Sequence, residues 1–187
     1  EYDRNIRDFK GTMNFTAAEL KGVPEDFLKA AKKDASGNLI VGFSYPEYDA
    51  IMTLAENEDV RARFSLAHAA RGGKRNLEVL EKVLTLRQEL ATIAGQPDYS
   101  TFIVRRRMAK DPVAIEKFLS EVFAAVKEPM RAEIDEITRE KSTHLGKSLA
   151  DTKFRRTDSA FYQERIRKAR FAIDQEALRA YFPTEAS

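Results

Sequence analysis

The chain contains no cysteine, which rules out a disulfide scaffold and any thiolate-ligated metal. Histidine is nearly absent too: only His68 and His144 occur. A zinc site of the His-Glu-x-x-His type needs two imidazoles four residues apart on one helical face, with a glutamate between them. Four residues either side of His68 stand Phe64 and Gly72, and around His144 stand Glu140 and Ser148, so the motif cannot be built on either histidine. Nor can a Ser-His-Asp arrangement be argued from so few histidines. No apolar run approaches the roughly 20 residues that cross a bilayer. A strong net charge is also missing: 32 basic side chains face 30 acidic ones, interspersed along the chain. A general nucleic-acid or membrane-surface role therefore has little support. The charged opening, Glu1 to Lys10, lacks the apolar stretch of a signal peptide. A cysteine-free composition suits a reducing cytoplasm, the favoured compartment, and equally a cysteine-free periplasmic protein.

With 187 residues, 43% hydrophobic and 33% charged, the chain has the composition of a soluble, helix-rich protein of one domain or a compact pair of subdomains. The expected fold is all-α, with at most one short β-hairpin or strand near the N-terminus. Residues 1–187 read as a single helical body; the alternative division is a mixed segment over 1–56 and a helical bundle over 57–187. Phe9 to Phe15 reads as extended. Thr16 with Glu19 has the spacing of a capping box, and Pro24 or Glu25 starts a short helix to about Lys33. Asp34-Ala35-Ser36-Gly37-Asn38 is a turn cluster. Leu39 to Phe43 is the best strand, paired with the Phe9 to Phe15 stretch or with nothing in this chain. From Pro46 onward the pattern is helical. Asn57 caps a helix with Val60, Phe64, Ala67 and Ala70 on its buried side, ended by Gly72-Gly73. Asn76 caps the next, where Leu77, Leu80, Val83, Leu84, Leu86, Leu90 and Ile93 follow a near-3.6 period, and Gly95 ends it. Asp98 opens a helix with Tyr99, Phe102, Ile103 and Met108. Asp111-Pro112 starts a long one through Ile115, Leu119, Val122, Val126, Met130, Ile134 and Ile137, kinked at Pro129. Ser142 to Arg156 reads as a polar loop with partial helix. Asp158 begins a helix through Ile166 and Ala169, and Asp174 caps a last one that Pro183 stops.

Few residues carry a chemical signal. His68 on an amphipathic helix reads as packing or surface, and His144 as a solvated loop residue. Gly72-Gly73-Lys74 lacks the strand and spacing of a phosphate loop and reads as a helix end. Arg105-Arg106-Arg107 is the sharpest basic cluster. Three arginines can meet phosphates or a peptide carboxylate. Against that, successive helical residues point about 100° apart, and Asp98, Asp111 and Glu116 are near enough to pair with them. Asp135, Glu136 and Glu164 sit three or four residues from Arg131, Arg139 and Lys168, the spacing of helix-surface pairs rather than of a catalytic carboxylate dyad.

Several short strings occur in a fixed order: Glu19-Leu20-Lys21-Gly22-Val23-Pro24-Glu25, Tyr45-Pro46-Glu47-Tyr48, the Asn76 to Gly95 run with Leu84 to Ala91 at its centre, Arg107-Met108-Ala109-Lys110, and Ile173-Asp174-Gln175-Glu176 followed by Tyr181-Phe182-Pro183. Together they resemble the zinc metallopeptidases of the thimet oligopeptidase, neurolysin and oligopeptidase A type, over about Asn5 to Pro183. One departure is Thr157, where related sequences often have tryptophan before the aspartate corresponding to Asp158. The resemblance implies a helical, channel-forming endopeptidase for short peptides, with metal-activated water as nucleophile and glutamate as base. It places the zinc ligands after the Tyr-Phe-Pro element, outside this sequence. The expectation is thus a non-catalytic channel-wall fragment with no cofactor of its own and zinc in the parent enzyme. Its partners would be the missing C-terminal catalytic domain and, for the parent, short peptides. Self-association through exposed apolar faces is expected, and nucleic acid and membrane are not. Alone the chain is expected to be inactive; it carries no catalytic or metal residue, and the candidate substrate-channel contacts are Arg105, Arg106 and Arg107. The alternative is a free-standing helical module that binds peptides or a protein. A weaker one is a nucleic-acid-binding domain using the same arginines with Lys74-Arg75.

Overall fold

The computed structural model describes residues 1–171 and residue 181. Its elements, in chain order, are α1 (Tyr2–Arg7), β1 (Met13–Phe15), α2 (Glu25–Ala30), β2 (Lys32–Lys33), β3 (Leu39–Val41), α3 (Tyr45–Leu54), α4 (Glu58–Ala69), α5 (Gly73–Ile93), α6 (Tyr99–Val104), α7 (Pro112–Leu145), a 3₁₀ turn (Arg156–Asp158) and α8 (Ser159–Phe171). The protein is mainly helical, as its periodicity requires. The helix expected from Asp174 and its stop at Pro183 lie outside the described residues. Contacts divide the chain into two compact units, residues 1–11 with 66–134 and residues 12–65 with 135–187.

The second unit holds the sheet, in the order β1-β3-β2. Met13, Asn14 and Phe15 pair antiparallel with Val41, Ile40 and Leu39, so the extended stretch does partner the best strand. Lys32 and Lys33 add a third strand against Ile40 and Leu39, where the sequence suggested the end of a helix. The turn cluster explains this. Asp34 accepts the backbone N–H groups of Ser36 and Asn38, at 2.8 and 2.9 Å, and Gly37 takes the left-handed conformation, so the chain doubles back and carries Lys32 into register. Alternation puts Phe15, Leu39 and Val41 on one sheet face. There they bury against Leu20, Val23, Ile51, Ala55, Val60 and Phe64. The Phe64 ring stacks on Phe43 at 5.1 Å. α3 begins in a reciprocal cap: Glu47 accepts the Ser44 backbone N–H and hydroxyl and also the Gly42 N–H. A smaller core joins Ile137 of α7 to Phe161 and Tyr162 of α8, flanked by Phe154 and Ile166.

In the first unit α1 packs on α5. Asn76 is the pin. Its amide accepts from Asn5 at 2.7 Å and donates to the Tyr2 carbonyl at 3.1 Å. It therefore works inside the first turn of α5, while Gly72 stands at the N-cap with φ 89°. A Cβ at Gly72 would lie 2.3 Å from the Asn76 amide nitrogen, so the glycine is needed for this approach. At the other end Gly95, at φ 66°, stops α5 where the sequence placed its stop. The apolar stripes of α5 and α7 are present but not covered: Leu86, Leu90 and Ile93 on α5, and Leu119, Val122, Val126 and Met130 on α7, are all exposed. α7 runs without interruption past Pro129 to Leu145, four residues into the stretch read as loop, and its buried residues, Ile137 and Lys141, both belong to the second unit.

Candidate functional site

Asp98 fixes the start of α6 by accepting the Thr101 backbone N–H at 2.8 Å and the Ser100 and Thr101 hydroxyls. These bonds, the Ser100 hydroxyl first, hold its carboxyl below the usual value. α6 is tied to α5 by the Gln88 amide on the Pro97 carbonyl and by the Arg87 guanidinium over the Tyr99 ring. Beyond Val104 the backbone tightens: Arg106 and Arg107 donate to the carbonyls of Ile103 and Val104, three residues back. The tightening ends the helix before Met108, which is 96% exposed rather than packed on α6. Lys110 donates to Arg107 and stands at φ 61°, a left-handed conformation costly for a side chain with a Cβ. Asp111 then accepts the Val113 N–H and starts α7.

The three candidate arginines thus lie on one turn between α6 and α7, all exposed. Arg105 lies over the Phe102 ring at 5.9 Å. Among the described residues none of the three forms an ion pair; Asp98 and Asp111 serve as helix caps. Open cavities of the same unit lie elsewhere, two of them at the α1 side of α5. One, of about 550 Å³, is lined by Arg4, Asp8, Phe9, Gly72 and Lys74; the other, of about 570 Å³, by Tyr2, Arg75, Glu78 and Leu86.

The second unit contains a buried ionic cluster. Arg61 of α4 and Asp158 are fully buried, and Lys141 of α7 is 3% exposed. Arg61 donates to Asp158 at 3.2 Å, and to the carbonyls of Ala55, Glu56 and Thr157. Its guanidinium lies 4.3 Å from the centre of the Phe161 ring. Lys141 donates to Asp158 at 2.8 Å, to Glu58 at 3.0 Å and to the Lys153 carbonyl. Asp158 also accepts the Arg155 N–H. Two buried cations thus meet two carboxylates, and Arg155 closes the mouth on Glu58 at 2.9 Å. Every charge has partners, the condition under which buried ions are tolerated. Such a cluster fixes how the three segments meet; it presents no open position to a substrate.

His144 is not a solvated loop residue. It sits in the last turn of α7 with Nδ1 3.2 Å from the Tyr162 hydroxyl, against the rings of Phe161 and Tyr162. Burial, then Arg165, lowers its pKa, and burial raises that of Tyr162. His68 is half-buried, with the Arg71 guanidinium on its carbonyl; burial and Arg71 lower its pKa. Among the described residues no three His, Asp or Glu side chains are placed to hold a metal, so these residues do not fit zinc. The helix-surface pairing is partly as spaced: Glu164 meets Arg167 and Lys168, whereas Arg131 turns to Glu128 and Glu136 to Arg170 of α8.

Comparison with known proteins gives the ancestry. Residues 51–187 match the model of peptidase family M3, and the chain belongs to that family. It is 31% identical to oligopeptidase A of Haemophilus influenzae across 89% of this chain and 26% of that protein. It is 28% identical to oligopeptidase A of Escherichia coli across 98% of this chain and 28% of that protein. Saccharolysin of Saccharomyces cerevisiae is 27% identical across the whole chain and 27% of its own length. The chain spans about a quarter of the length of these relatives.

Proposed function

We propose that this chain serves as a non-catalytic helical part of a zinc-dependent oligopeptidase that cleaves short peptides, with the zinc ligands and general base supplied by residues this sequence does not contain. The observation that carries the reading is the pair of uncovered apolar stripes on α5 and α7. Leu86, Leu90 and Ile93 on α5 and Leu119, Val122, Val126 and Met130 on α7 stand exposed, although their steps of three and four residues are those of a buried face. Contiguous apolar surface of this kind marks an interface. Membership of family M3, coverage of about a quarter of the relatives' length and the lack of a His-Glu-x-x-His motif point the same way: the stripes are faces for the catalytic portion. The test is a quenched-fluorescent short peptide incubated with the 187-residue chain, with and without added zinc, beside sizing and dye binding. No hydrolysis, strong fluorescence of an apolar-surface dye and concentration-dependent self-association are expected. Zinc-dependent hydrolysis by the chain alone would overturn the proposal, and so would a dye-silent monomer.

A further inference from the structure

We propose that the turn between α6 and α7 is a recognition site for acidic peptide segments. The inference rests on the peptide-handling reading above and names a class of peptide for it. Arg105, Arg106, Arg107 and Lys110 put four cations into six consecutive residues with no acid among them. All are exposed, and among the described residues none is in an ion pair. Several cations elsewhere, Arg61, Arg63, Arg75, Lys141, Arg155 and Arg165 among them, do sit on carboxylates.

The two acids that flank the turn in sequence serve as helix caps and form no ion pair with it. Asp98 spends its oxygens on Thr101 and Ser100, and Asp111 accepts from Val113. The turn is also held in place. Asp98 caps α6, Gln88 and Arg87 tie α6 to α5, and the left-handed Lys110 sharpens the bend before α7. Cations on a fixed turn lose less conformational freedom on binding than cations on a loose loop.

The shape of the patch selects a peptide over a nucleic acid. The cations are confined to one turn instead of tracking a long backbone, and the whole chain, these four included, carries a net charge of only +2, whereas a polyanion binder presents an extended basic surface. Inside the turn, Met108 is 96% exposed. Its flexible, polarisable side chain can adapt to apolar groups of varied shape, so carboxylates interleaved with apolar side chains fit best.

The experiment titrates the 187-residue chain into fluorescein-labelled peptides of alternating Glu and Leu, with Gln-for-Glu peptides of the same length and a single-stranded oligonucleotide beside them. The Glu peptide should bind about tenfold more tightly than the Gln peptide, from a few exposed ion pairs, and the preference should shrink as salt rises. Arg105→Gln/Arg106→Gln/Arg107→Gln should bring the ratio close to one with an unchanged helical spectrum, while Lys32→Gln/Lys33→Gln should leave it intact. Equal binding of the two peptides, an unaltered ratio in the arginine variant, or tighter binding of the oligonucleotide would each overturn the inference. Equal binding of both peptides removes the acidic preference alone, whereas binding of neither removes peptide handling by this chain as well.

Discussion

Replacing Asp158 with alanine removes a carboxylate that touches both Arg61 and Lys141, the buried cations of the second unit among the described residues. Asp158 is fully buried and accepts from Arg61 at 3.2 Å, from Lys141 at 2.8 Å and from the Arg155 N–H at 2.8 Å. In the variant Arg61 keeps three carbonyl acceptors, but its charge faces no carboxylate. Lys141 retains Glu58 and the Lys153 carbonyl. Breaking a buried pair by removing one partner costs about 3–5 kcal/mol, against a total stability of about 5–15 kcal/mol for a domain. With a urea slope of about 2 kcal/mol per molar, the unfolding midpoint should fall by about 1.5–2.5 M. Circular dichroism in a urea series measures it. Asp158→Asn, which keeps the volume and an acceptor, should fall between wild type and alanine. A combined Arg61→Leu/Lys141→Met/Asp158→Leu variant should recover part of the loss, because no buried charge remains, while four carbonyls still miss their donors. A loss below about 1 kcal/mol for Asp158→Ala would refute the reasoning, since exposed pairs are worth that little.

Gly22→Ala should cost at least about 2 kcal/mol: its φ is 93°, and a Cβ would lie 2.4 Å from the Leu54 carbonyl oxygen. Gly37→Ala, left-handed but in open space, should cost only about 1 kcal/mol in the same unfolding series, and equal losses would contradict the packing argument. Glu47→Ala should cost about 1 kcal/mol at pH 7 by removing the α3 cap. Burial raises the Glu47 pKa, but bonds from the Ser44 hydroxyl and the Gly42 and Ser44 N–H groups outweigh it and leave the pKa lowered. The unfolded state then binds the proton first, so the contribution is present above the ordinary value of 4.5 and is lost as the pH falls through the folded value. The gap between wild type and Glu47→Ala should accordingly close in acid, and a gap constant from pH 7 to 3 would refute this assignment.

What could be read in the sequence was whatever depends on near neighbours. Asn57, Asp98 and Asp111 cap where their spacing says, because a cap is made within three residues. The Asp34 to Asn38 turn was equally plain, but its consequence, Lys32 and Lys33 as a strand, depends on the register it imposes on Leu39 and Ile40. The ionic cluster was hidden because its members are 97 and 17 residues from Asp158, and charged helix residues read as solvent-facing. A signal existed. Arg61 stands three residues before Phe64 and Lys141 four after Ile137, so both fall on the apolar sides of their helices. For α5 and α7 the periodicity identified the helices correctly, yet a period says which face is apolar and not what covers it. The arginine run was visible as composition, but only the structure shows that its acidic neighbours cap helices and pair with none of the three.

The span between Arg61 and Asp158 also has a meaning in time. At about 5–20 residues per second, Asp158 leaves the ribosome roughly 5–20 s after Arg61. During that interval the sheet and the Phe64 core can already form, since every residue of that core lies between Phe15 and Phe64. The guanidinium then has the Ala55 and Glu56 carbonyls and no anion. A newly made chain therefore passes through a stage in which one side of the Arg61 guanidinium is open to water, and residues 157–162 bring its anion and its cover together.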